Sequence, residues 1–279
     1  MSSGGNSRRS RRSSKPRADG GWALISVLWT VAILAMLAGA VEAMLLSSAA
    51  LAQRQFERAE AEAALDGAVV RAVLGIGDNR PERRWRVDGK ATTIAVNGLP
   101  VAVSVQDQFG LVDLNTADGT VIGRVLAGAG AKAEDLGRLI EHVIDWRSMY
   151  PARRDDADYR EAGLAWRPRH GPFQSVAELQ LVLGMTPEIF RRAAPALTVY
   201  SGRPSIDPLV APAQALQGFS LDDPNSDTPG RGVLPAGTVL DGRTFAIAAQ
   251  LRIGGHTYVR SAVVMLGDGP RPYVVLSWQ

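Results

Sequence analysis

The chain has 279 residues, 46% of them apolar, enough to bury a sizeable core and too apolar for a disordered protein. Its formal net charge of +3 is unevenly spread: residues 1–21 carry Arg8, Arg9, Arg11, Arg12, Lys15 and Arg17 against Asp19, and the remainder is slightly acidic, so the body makes no general case for nucleic-acid binding. The absence of cysteine excludes disulfides and thiol chemistry.

Behind the basic tail, Trp22–Val41 is a run of uncharged residues. Twenty residues at about 1.5 Å rise span about 30 Å, the hydrocarbon thickness of a bilayer. A conventional signal, cut after Ala50 or Ala52 in the small-residue stretch that follows, is the alternative, but Trp22, Trp29 and the length of the run favour a retained span. The positive-inside rule keeps the tail cytoplasmic and puts the body outside. No proline occurs from Trp22 to Arg80, and the stretch after Ser48 is rich in Ala, Glu, Arg and Leu, which predicts one helix from 22 to about Leu74. Leu51, Phe56, Ala59, Ala63, Val70, Val73 and Leu74 recur at helical steps along its outer half.

After the Gly75–Gly77 break the pattern changes period. Residues 83–114 alternate β-branched residues about Asn97-Gly98, a hairpin signal. Residues 115–200 are helical in pattern, with Ser175 and Glu178 spaced as a capping box. Residues 201–240 hold much proline, glycine and aspartate and are expected to be a loop. Residues 241–279 form a meander of three strands, the first two joined by Gly254-Gly255. The expected fold is α+β: a long N-terminal helix packed on an antiparallel sheet, with a large helical domain (115–200) inserted between its strands.

A short basic leader ending in glycine, followed by an apolar helix with an amphipathic outer half, resembles the N-terminus of type IV pilins and pseudopilins. The resemblance implies that a prepilin peptidase cuts between Gly21 and Trp22, leaving residues 22–41 as the transmembrane helix and 42–75 as its periplasmic part. Most of that family carry glutamate at the fifth mature position, where this chain has Ser26. The K-type minor pseudopilin of type II secretion lacks this glutamate. The phrases "DLNTAD" (113–118), "VIDWR" (143–147), "ADYREAG" (157–163), "RPRHGPFQSVAELQLVLGMTPEIF" (167–190) and "PALTVYSG" (195–202) are also similar to that type. The resemblance implies an inner-membrane protein with a periplasmic body at the tip of a pseudopilus. Its implied partners are minor pseudopilins of types I, J and H, the prepilin peptidase and the inner-membrane secretion platform. Leu51, Phe56, Ala63 and Val70 are the expected partner-packing face.

Two further constellations have competing readings. Gly128 and Gly130 in "DLNTA…LAGAGAKAEDL", with a degenerate second copy at 182–190, resemble a helix-hairpin-helix DNA module. Residues 115–200 hold 11 basic and 11 acidic residues, so the cationic excess that duplex binding needs is missing, and the glycines read as packing turns. An inner-membrane DNA-uptake protein is the alternative function. Asp155, Asp156, Asp158 and Glu161 offer clustered oxygens for calcium, and the resemblance implies a calcium site in the inserted domain. The spacing is not that of an EF-hand, and Arg153, Arg154 and Arg160 favour a self-paired charged loop. His142, His170 and His256 stand apart, and no nucleophile elbow or phosphate loop occurs, so nothing recommends an enzyme.

Overall fold

A computed structural model of the chain describes residues 20–78, 80, 83–150, 156–217, 232–267 and 272–279. The chain divides into two compact units, one up to Arg58 and one from Ala59 to Gln279.

In the first unit the described residues are helical. The helix α1 has bounds Gly20–Ile76, and within it Leu24–Glu42 is long and apolar enough to cross a membrane, with a mean hydropathy of 2.4. Its large apolar side chains, from Trp22 to Met44, are exposed.

In the second unit, the last turns of α1 bury Ala61, Ala64, Leu65, Ala68, Val69, Ala72, Val73 and Ile76. Steps of three and one put these on a single face. They pack against a five-stranded antiparallel sheet of β1 (Asp88–Val96), β2 (Leu99–Asp107), β5 (Thr244–Ile253), β6 (His256–Leu266) and β7 (Tyr273–Trp278), in the order β1-β2-β5-β6-β7. Alternate residues Val101, Val103 and Val105 on β2, and Phe245, Ile247, Ala249 and Leu251 on β5, face the helix. Seven positions of α1 were expected to share a stripe. Only Val73 belongs to the buried face, and Phe56, Val70 and Leu74 are exposed. Alanines on both faces made the inward side ambiguous by hydrophobicity alone.

Asn97 (φ 49°) and Gly98 (φ 80°) close the β1–β2 hairpin with the two positive φ values a tight primed turn requires. The chain leaves the sheet after β2 and returns on the adjacent strand, β5. Between them lie β3 (Val112–Asp113), α2 (Gly119–Gly128), α3 (Ala133–Arg147), α4 (Asp156–Glu161), α5 (Pro187–Ala193), β4 (Leu197–Thr198) and α6 (Ala213–Gln217). β3 and β4 pair in parallel, and a second core forms around Leu114, Ile122, Leu126, Val143, Trp146, Tyr159, Phe173 and Leu179.

Three local expectations are corrected. Val176–Leu181 is a 3-10 turn in which Ser175 makes no side-chain cap; Glu178 instead accepts from the N–H of Gln174 and from Arg169. The stretch 201–240 is not simply a loop: it contains α6, and Val210, Ala211, Ala215, Leu216 and Leu234 are buried. Its proline and aspartate masked the short apolar runs between them. Finally, Asp158 and Glu161 lie on the short helix α4 rather than on a loop.

Candidate assembly surface

The expected site residues fall in different places. Trp22 is exposed. Ser26, at the position where pilins carry glutamate, donates its hydroxyl to the Trp22 carbonyl at 2.6 Å, four residues back. Its polar group is thereby satisfied inside its own helix, as an apolar environment demands. In the same unit Leu51 and Phe56 are exposed, Phe56 by 67%. In the second unit Ala63 and Val70 are also exposed, Val70 by 45%.

Of the carboxylates proposed for calcium, Asp155 lies outside the described residues, as does the side chain of Asp156. Asp158 and Glu161 border a shallow depression with Glu134, Arg138, Glu141 and His142. Among the described residues no group of three or more potential ligands is close enough to hold a metal ion.

The helix-hairpin-helix glycines serve the turn. Gly130 has φ 95°, which an L side chain rarely adopts, whereas Gly128 has open space around it. Close packing of α2 on α3 depends instead on Gly119 and Gly123, where a Cβ would meet Ile140.

The phrases that carry the family resemblance are staples of the helical block. Asp113, buried at β3, accepts from Asn115 N at 2.8 Å, Gly202 N at 2.8 Å and Ser201 Oγ at 3.2 Å. Asn115 clamps the backbone of Phe173: its Nδ2 donates to the Phe173 carbonyl at 3.0 Å, and its Oδ1 accepts the Phe173 N–H at 2.7 Å. Arg147 donates to the carbonyls of Leu114 and Ala117. Phe173 stacks on Trp146 with centroids 6.0 Å apart. The hydroxyl of Tyr159, itself fully buried, accepts the Leu183 N–H at 2.8 Å. "DLNTAD", "VIDWR", "ADYRE" and "HGPFQS" thus interlock in space.

Residues 101–202, from β2 through β4, match the family model of type II secretion system (T2SS), protein K. The chain carries the K-type pseudopilin domain. Among solved structures, it is similar to a chain of the GspK-GspI-GspJ complex from the enterotoxigenic Escherichia coli type 2 secretion system. Identity is 13% and the TM-score 0.58, covering 81% of this chain and 98% of that one, so the likeness is one of fold. No curated protein matches the sequence. A K-type domain inserted in a pilin-like sheet explains why β2 and β5 are neighbours although residues 108–243 separate them.

Sequence reasoning missed a buried ionic cluster at the base of this domain. Asp107, at the end of β2, pairs with Arg243 before β5, and Arg243 also reaches Asp207 at 3.0 Å. Burial pushes the Asp107 carboxyl up to about 6, against the pull of the Arg243 guanidinium beside it. The only sequence signal was a charge of each sign where an alternating strand begins or ends.

Proposed function

We propose that this chain is a minor pseudopilin that caps the periplasmic pseudopilus of a type II secretion system and supports assembly and protein export. The observation that carries the reading is the protein K match over residues 101–202, behind a helix long and apolar enough to span a membrane. The helix is anchored in the inner membrane with its N-terminus cytoplasmic, and the body is periplasmic. Ser26 supports a terminal position: without a carboxylate there, the subunit brings no charge to neutralise a neighbour's N-terminal amine inside an apolar bundle. The exposed apolar residues Leu51 and Phe56 in one unit, and Val70 in the other, are suited to burial against partner helices. The partners are the minor pseudopilins of types I and J, as in the complex that contains the similar chain. The work is mechanical, and the residues that do it are packing residues.

Processing tests the reading. In cells with a prepilin peptidase, mass spectrometry of the mature protein should find Trp22 at the N-terminus, and replacing Gly21 by a bulky residue should block the cut. A mature chain starting near Leu51 or Gln53 would establish a conventional signal peptide and overturn the proposal.

A further inference from the structure

Two carboxylates meet one guanidinium where the helical block joins the sheet. Arg243 donates from Nε to Asp107 Oδ2 and from Nη2 to Asp207 Oδ2. The side chains are 0% (Asp107), 8% (Arg243) and 33% (Asp207) exposed. The other Asp107 oxygen accepts the Phe109 N–H at 2.9 Å, and the Asp207 N–H donates to the Phe109 carbonyl at 2.7 Å. The guanidinium groups of Arg243 and Arg203 both lie over the Phe109 ring, 4.7 and 4.8 Å from its centroid. On the neighbouring strand, Asp88 stands opposite Gln106 and is paired with Arg86. The cluster therefore sets two acids against one buried base. An excess negative charge in a low-dielectric site is costly, and a proton on the more buried carboxylate relieves it.

We propose that Asp107, Arg243 and Asp207 form a proton-operated joint, in which mild acid neutralises Asp107 and tightens the attachment of residues 203–212, and with them the helical block, to the sheet. With Asp107 ionised, it competes with Asp207 for Arg243. With Asp107 protonated, Arg243 and Asp207 make a balanced pair. The inference stands whether or not the chain sits at a filament tip.

The direction follows from linkage. The carboxyl titrates at about 6 in the closed joint against 3.8 when free, so the closed form binds more protons between those values. The stabilisation is complete below the free value and is lost as pH rises through about 6.

Hydrogen exchange tests this on the full-length protein in detergent micelles, read at the Phe109 and Asp207 amides and corrected for intrinsic rates. The two titration points predict openings about tenfold rarer at pH 5.0 than at pH 7.5. Asp107→Asn should abolish the difference. Asp207→Asn, which removes only the competing acid, should shrink it. Equal opening at both pH values in the unmodified protein would overturn the joint. So would a tenfold ratio that survives Asp107→Asn or, where that variant does not fold, one unchanged in Asp207→Asn.

Discussion

Asn115→Ala tests whether the family's sequence phrases act as staples. The substitution deletes both hydrogen bonds to Phe173, whose residue is 3% exposed, and leaves a backbone N–H and a backbone C=O without their partner. A buried polar group left unpaired costs about 1–3 kcal/mol, so two of them imply about 2–4 kcal/mol where Asn115 is only half-buried and water reaches part of the gap. That is a large fraction of the roughly 5–15 kcal/mol by which a domain is stable. Residues 59–279 suit the measurement, because both hydrophobic cores lie within them. Urea unfolding followed by tryptophan fluorescence reports on the site directly, since Trp146 stacks on Phe173. The midpoint should fall with little change in the slope. A loss below about 0.5 kcal/mol would show that the clamp contributes nothing and that the reasoning about the motif is wrong.

The remaining predictions concern the helix core and calcium. Leu65→Ala, at a position 1% exposed between α1 and the sheet, should cost about 2–5 kcal/mol in the same assay, whereas Val70→Ala should stay near neutral in the isolated body. If Asp155, Asp156, Asp158 and Glu161 supply calcium ligands, thermal melts of the body should rise with calcium and fall with chelator. Indistinguishable midpoints would remove that site.

Local chemistry made much of the fold legible. Asn97-Gly98 and Gly254-Gly255 announced two hairpins because few residues accept positive φ at consecutive positions. The membrane-length helix announced itself by length and apolarity alone. What could not be read was whatever depends on distant partners. Asp107 and Arg243 lie 136 residues apart, and no periodicity links them. Ser175 and Glu178 had the spacing of a capping box, but the turn folded as a 3-10 segment and Glu178 took Gln174 and Arg169 as partners instead. In α1, Ala61, Ala64, Ala68 and Ala72 are buried while Ala59 and Ala63 are exposed, a choice made by the sheet and not by the alanines. The "DLNTAD" phrase signalled the family before its mechanics were visible, because Asn115 finds Phe173 only in the folded block.

The central claim is that this body assembles with the other minor pseudopilins. Residues 50–279, which retain Phe56, should be co-expressed with the soluble bodies of a type I and a type J minor pseudopilin from the same secretion system. The complex should then be weighed by size-exclusion chromatography with light scattering. The account predicts a 1:1:1 complex that polar substitutions at Phe56 and Val70 weaken. A body that stays monomeric in the presence of both partners would contradict it.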